Sequence, residues 1–354
     1  MNRDKSSFRQ GAVVWMMLFA GLGFLLPALR FGSTPAAVMA AAAALAVLLA
    51  DTLIAGILGA DRLILSLAVF FCSAGLMVRA CTMQEFSLLA LLNAPSDLTA
   101  LAESLIQPVV LLLSAFCLSR RQVLLSWLSF SAGAAILFLM NRPESALILG
   151  ITVFLLYWAS GGHPAGVVTA AAAIAGLGLA AYFFRPEIRE IIRIWQEPAA
   201  SADAASSLAK TLAAVAEGGL FGTGPGLVLP DLPGFSDPWF AFAALCHQFG
   251  IVTAILLLLL FGLLALRGTT VARAARKGFH GLAAMGSVLL LSLSALCSAA
   301  GAWGILPSAG IPFPFLSGGP SLVRDLFLLA ILCWISGHNR QDLKEDASLA
   351  MLSR

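Results

Sequence analysis

Charge is what this chain has least of. Its 354 residues carry 21 lysines and arginines and 18 aspartates and glutamates, so 11% are charged while 60% are hydrophobic. A soluble domain carries roughly 25% charged residues, so this chain cannot cover a globule with polar surface. Metal-binding sequence signals are scarce as well. Cys72, Cys81, Cys117, Cys246, Cys297 and Cys333 form no Cys-x-x-Cys pair, the four histidines do not cluster at ligand spacing, and the cysteines read as small buried hydrophobes. The apolar runs, such as Ile251 to Leu266, lack the alternation of barrel strands. The first run, Ala12 to Leu29, follows Arg3, Lys5 and Arg9 without a clear small-residue cleavage site, and reads as a retained span rather than a signal peptide.

What is present is a series of apolar blocks separated by short polar breaks. A bilayer-spanning helix needs about 20 apolar residues, and the blocks leave room for about ten spans. The fold expected is an all-α polytopic membrane bundle, residues 1–354 as one integral membrane domain. The spans fall near 11–29, 35–59, 62–79, 105–118, 123–140, 146–159, 165–184, 239–266, 281–304 and 322–337. With both termini cytoplasmic, most bases lie inside, among them Arg120, Arg121, Arg267, Arg273, Arg276 and Lys277. Most acids lie outside, including Glu103, Glu144, Glu190, Glu217, Asp237 and Asp325. The outer bases reduce to Arg30, Arg79, Arg142, Arg185, Arg189, Arg193, Lys210 and Arg324.

One outer segment, residues 185–238 between the seventh and eighth spans, is much longer than the others, and long ordered loops are usually functional. It opens on an amphipathic helix from Pro186 to Trp195. Ile188, Ile191, Ile192 and Trp195 share one face, opposite Glu187, Arg189, Glu190 and Arg193, as in a helix lying on the outer leaflet. A second helix is expected over Ser206 to Glu217, ended by Gly218-Gly219. The glycine- and proline-rich stretch from Gly219 to Pro238 then reads as turns. A second irregular outer segment, Gly304 to Pro320, holds four prolines and four glycines. Backbone so broken survives at membrane depth only where protein buries it or a polar cavity solvates it.

These segments carry a resemblance. Gly218-Gly-Leu-Phe-Gly-Thr-Gly224 followed by Leu232-Pro233, and Gly310-Ile-Pro-Phe-Pro-Phe-Leu-Ser317-Gly-Gly before the last span, resemble the two signature loops of the SEDS family. These are the shape, elongation, division and sporulation proteins related to RodA, FtsW and SpoVE. Ile106-Gln107-Pro108, Arg142-Pro143-Glu144 and Trp195-Gln-Glu197-Pro198 resemble further family pieces, in the family's order. Together they cover about residues 105 to 337, while the first hundred residues match only in hydropathy.

The resemblance implies an inner-membrane glycosyltransferase that polymerises lipid II, an undecaprenyl pyrophosphate-linked disaccharide peptide, beside a class B penicillin-binding protein, with membrane lipids around it and no nucleic acid. Such a reaction needs a general base for the acceptor hydroxyl and positive charge for the leaving pyrophosphate. The family's base is an aspartate in the long outer loop, and Asp237 is its counterpart here. Arg142, Glu144, Gln107, Arg189, Arg193, Lys210, Ser317 and Ser321 are the substrate-binding candidates; a guanidinium fork matches phosphate oxygens. No cofactor is evident, although a single carboxylate together with substrate oxygens is able to bind Mg²⁺.

The chain also departs from the family. An ungapped match backward from Gly250 puts Trp239 where the aspartate belongs, and counting forward from Pro233 puts Pro238 there, next to Asp237. His247-Gln248 replaces a Glu-Glu, Val109-Val110 replaces the Ser-Glu after Gln107-Pro108, and an apolar residue replaces the base one turn later. The final loop lacks the family's tyrosine. Two alternatives therefore stand beside the transferase: a SEDS-fold scaffold or lipid II carrier without activity, and another polyprenyl-linked sugar polymerase or ligase.

Overall fold

The structure is a computed structural model, described here for residues 14, 16–18, 34–49, 61–82, 98–196, 207–224, 240–307 and 310–352. Among these residues it is all-helical. In chain order the helices are α1 (Thr34–Leu49), α2 (Arg62–Thr82), α3 (Leu98–Ser119), α4 (Val123–Leu139), α5 (Pro143–Ala159), α6 (Pro164–Phe184), α7 (Pro186–Gln196), α8 (Ser207–Gly218), α9 (Ala241–Ala274), α10 (Gly278–Ala302) and α11 (Gly319–Leu352). Helices α3, α6, α9, α10 and α11 each contain a stretch long and apolar enough to cross a bilayer. Helices α4 and α5, with 17 residues each, are shorter. At 1.5 Å per residue they reach about 26 Å, close to the hydrocarbon thickness.

The breaks between spans follow local chemistry. Arg121 and Asn141 adopt left-handed backbone in the turns after α3 and α4, and Pro143 and Pro164 stand at the first positions of α5 and α6, where a missing N–H costs nothing. Arg185 closes α6 against α4. It donates to the Asn141 side-chain oxygen at 2.7 Å and to the Phe138 carbonyl, and its guanidinium lies 4.8 Å from the Phe138 ring.

Three helices differ in extent from the spans expected from hydropathy. Helix α3 begins at Leu98 rather than near 105, and α9 and α11 run on to Ala274 and Leu352 instead of stopping near 266 and 337. Hydropathy marks where the hydrocarbon ends, whereas a helix ends where its backbone hydrogen bonds do, so polar turns continue beyond the bilayer. The extensions of α9 and α11 are tied together, with Asn339 donating to the Val271 carbonyl at 2.9 Å and Arg276 paired with Asp346. The span expected over 11–29 lies largely outside the described residues.

Two apolar cores hold the bundle. The smaller one lies among α3, α4 and α5, with Val110, Phe130, Leu137, Leu149 and Val153. The larger one centres on rings that gather α2, α9 and the final loop. Phe313 stacks on Phe242 with centroids 5.0 Å apart and meets Phe261 edge-on at 5.6 Å, while Phe71 lies 5.3 Å from Phe261. Aromatic pairs in these geometries add about 0.5–1.5 kcal/mol each beyond area burial. Helix α2 comes close enough to the final loop that a Cβ on Gly75 would stand 2.6 Å from the Leu316 carbonyl oxygen.

Candidate functional site

The first signature loop is built into a break in α9. Gly250 has φ 81° and ψ 168°, outside helical space, so the helix is interrupted there. An interrupted helix leaves backbone groups without partners, and inside a bundle each would be costly. The signature loop supplies them. Thr223 and Gly224 donate their N–H groups to the His247 and Gln248 carbonyls at 2.9 and 3.1 Å. The Ile251 and Val252 N–H groups donate to the Gly219 and Leu220 carbonyls at 3.0 and 3.3 Å. The approach demands glycine on both sides: a Cβ at Gly222 would stand 2.2 Å from the Gln248 oxygen, and one at Gly250 2.2 Å from the Leu220 oxygen.

The side chains around this joint are polar. His247 Nε2 lies 3.5 Å from a Glu217 carboxylate oxygen, and the Thr223 hydroxyl donates to the His247 carbonyl at 3.1 Å. The His247 side chain is 5% exposed and that of Glu217 56% exposed. The span position expected to carry two acids therefore holds an imidazole, whose carboxylate partner comes from α8 across the joint.

The second signature loop is held by a buried ion pair. Asp325 in α11 is fully buried; it accepts the Phe315 N–H at 2.9 Å and the Arg324 Nε–H at 2.9 Å. Phe315 has φ 63°, a costly conformation for a bulky residue, of order 1–3 kcal/mol. The Asp325 carboxylate and the ring cluster hold it there. Arg324 Nη1 donates to the Gln107 side-chain oxygen at 3.1 Å. Its Nη2 lies 2.8 Å from Asp325 but is not aligned to donate, and it makes no hydrogen bond. Arg324 and Asp325 thus do not serve as outer-surface charges, although the charge sorting counted them outside; they are a buried pair inside the bundle. The residue one turn after Gln107 on α3 is apolar, but a base reaches Gln107 from α11.

A third polar group sits where α3 meets the start of α5. Arg142 Nε lies 3.3 Å from Glu103 and its Nη1 4.0 Å from Glu144, and the Ser145 hydroxyl donates to Glu103. Arg142 is therefore flanked by two half-buried carboxylates. Glu103, in the sequence no more than one of the outer acids, stands four residues before Gln107 on the same helix face.

The remaining candidates are scattered. On α7, Arg189, Glu190 and Arg193 are exposed while Ile188, Ile191 and Ile192 are half-buried. Arg193 donates to Glu190 at 3.0 and 2.5 Å, and these bonds hold the Glu190 carboxyl below the usual carboxylate range. Trp195 Nε1 donates to the Gly304 carbonyl at 2.8 Å, which ties α7 to the end of α10. Lys210 is half-buried on α8. Ser317 is buried and donates to the Phe313 carbonyl at 2.9 Å, and Ser321 donates to the Gly318 carbonyl at 2.8 Å, so both hydroxyls serve their own loop. Asp237 and Glu197 lie outside the described residues. Among the described residues no group of three or more His, Cys, Asp or Glu side chains is arranged to hold a metal ion.

The chain is similar to several known proteins. The peptidoglycan glycosyltransferase RodA of Mycobacterium tuberculosis is 29% identical over 221 residues, 62% of this chain and 43% of that protein. The stage V sporulation protein E of Bacillus subtilis is 31% identical over 168 residues, 47% of this chain and 45% of that one. A probable peptidoglycan glycosyltransferase FtsW of Geobacter sulfurreducens is 26% identical over 268 residues, 68% and 66% of the two chains. This chain thus spans less than half the length of the mycobacterial and Bacillus relatives. A chain from a structure of a peptidoglycan synthase complex that coordinates polymerization and crosslinking superposes with a TM-score of 0.59. It does so at 21% identity, over 93% of this chain and 98% of that chain, so the helical fold is shared. Residues 86–341 match the profile of the FtsW, RodA and SpoVE family, described as cell cycle proteins. With the matched region spanning most of the chain, the protein is a multi-pass membrane member of that family.

Proposed function

We propose that this protein is a peptidoglycan glycosyltransferase that polymerises lipid II, working with a class B penicillin-binding protein. The observation that carries the reading is the pairing of two broken segments within an apolar bundle. Gly218–Gly224 is built into the break at Gly250, and Phe313–Ser317 is pinned by Asp325. Irregular backbone at this depth calls for buried partners or a polar cavity, and a bundle serving only as an anchor has no use for it. The names of the mycobacterial and Geobacter relatives support the same activity.

In this reading the polyprenyl tail of the donor stays in the bilayer and its sugar pyrophosphate lies at the outer surface. Asp237 takes the proton of the acceptor hydroxyl as that oxygen attacks the anomeric carbon. The bond from that carbon to the pyrophosphate oxygen breaks, and the leaving group departs with the electron pair. Arg142, Arg189, Arg193 and Lys210 are the cations available to it. The test is polymerisation of lipid II by the purified protein with its penicillin-binding partner. The wild type makes glycan strands and Asp237→Ala makes none; unchanged strands from that variant remove Asp237 from the role.

A second reading, a non-catalytic scaffold or lipid II carrier, draws on the charge pairing. Arg142 is held between Glu103 and Glu144, and Arg193 by Glu190, so two of these cations already have acidic partners. A wild type that binds lipid II but makes no strands with its partner supports this reading and defeats the first.

A further inference from the structure

The His247–Glu217 pair poses a problem of solvation. His247 stands seven residues on from Phe240, at the start of α9, about 10 Å along the helix axis. Glu217 is at the same level, because the neighbouring Gly218 packs on the His247 backbone: a Cβ there would stand 2.7 Å from the His247 Cα. A carboxylate more than half exposed on a membrane bundle faces water or a polar cavity rather than hydrocarbon. The exposed side of Glu217 is therefore open to water or to a polar ligand. Three and four residues further on, Leu220 and Phe221 are also exposed, at 63% and 81%. A carboxylate and two large apolar side chains are thus exposed within one short stretch, Glu217 to Phe221.

The chemistry of Glu217 narrows what it can hold. One oxygen faces the buried imidazole, whose position is set by the α9 break, so the carboxylate does not swing freely. A carboxylate repels phosphate and accepts from hydroxyl and amide N–H groups. We propose that Glu217, held by His247, grips hydroxyl or acetamido groups of a lipid-linked sugar, and that Leu220 and Phe221 lie against the lipid part of the same molecule. The proposal rests on the transferase reading only for the identity of that lipid-linked sugar. Glu217 is a binding residue in it, and His247 is a positioning residue.

The test compares two probes on the full-length protein in lipid nanodiscs: lipid II, and undecaprenyl pyrophosphate, which lacks the sugar. Glu217→Ala weakens lipid II binding tenfold or more, and the isosteric Glu217→Gln weakens it several-fold. His247→Phe has an intermediate effect, and all three leave undecaprenyl pyrophosphate binding unchanged. Equal weakening of both probes, no weakening of either, or a wild type that binds neither overturns the proposal. Glu217→Cys adds a check of water access. A charged, water-soluble maleimide added to the nanodiscs modifies that variant above the background of the unsubstituted protein, and absence of labelling overturns the water-facing placement of Glu217. Strand synthesis is scored separately. Sugar-selective loss without strands fails the transferase reading alone, and strands with unaltered Glu217→Ala binding fail the sugar contact alone.

Discussion

Arg324 of the last helix donates to the Gln107 side-chain oxygen at 3.1 Å, joining positions 217 residues apart in the chain. Together with the Asp325 carboxylate that bonds both Arg324 and the Phe315 N–H, it fastens α3, the final signature loop and α11 at one buried point.

Removing one member of that pair strands a charge in the bundle. Asp325→Ala should lower the unfolding free energy by about 3–5 kcal/mol, the range for a broken buried pair. A double change, Arg324→Met with Asp325→Leu, leaves no charge behind and should unfold at a higher temperature than Asp325→Ala alone. Thermal unfolding of the detergent-solubilised variants measures both. A double variant no more stable than Asp325→Ala would mean that the lost Phe315 bond, rather than the stranded charge, is what matters.

Gly250→Ala places a methyl group against the Leu220 carbonyl and holds a non-glycine residue at φ 81°. The strain alone costs about 1–3 kcal/mol, and the backbone clash adds to it, so the signature loop should detach from α9. Hydrogen exchange of the Thr223 and Gly224 amides should accelerate sharply. Gly176→Ala, with open space around its Cβ position, is the control and should leave exchange unchanged. Equal protection in both variants would contradict the docking.

Trp195→Phe keeps the apolar face of α7 and removes only the N–H donated to Gly304. A loss of about 0.5–1.5 kcal/mol is expected, felt locally. Proteolysis within 186–196 should quicken while the melting temperature of the bundle stays within a degree or two. A large fall in melting temperature would show that α7 carries more of the fold than this single tie.

Arg142 is shared between Glu103 and Glu144. If it serves the pyrophosphate, neutralising its nearer partner should free it. Glu103→Gln should lower the lipid II concentration needed for half-maximal polymerisation, Arg142→Ala should raise it several-fold, and the double variant should behave as Arg142→Ala. Additive effects in the double variant would place the two residues in separate roles.

Several elements were legible beforehand because they depend on local rules. The helix over 186–196 follows from the spacing of Ile188, Ile191 and Ile192, and α8 stops at the glycines that end its pattern. The partners of the polar candidates were not legible. Glu103 reads only as an outer acid because hydropathy begins the fourth span near 105, although helical spacing relates it to Gln107. That the Ser317 hydroxyl donates to the Phe313 carbonyl of its own turn was not legible either. Arg324 and Asp325 looked like outer charges because they stand near the start of a span.

The amino-acid sequence by itself determined that the chain lives in a bilayer, where its helices run and which two segments must be irregular. Those properties come from composition, periodicity and the backbone limits of glycine and proline, all of which act over a few residues. Only the tertiary structure decided which charges are paired, that Glu217 of α8 faces His247, and that the first signature loop completes the hydrogen bonds of a broken helix. The cost of a charge or an open N–H in this bundle depends on what the neighbouring helix places beside it, and no local pattern contains that.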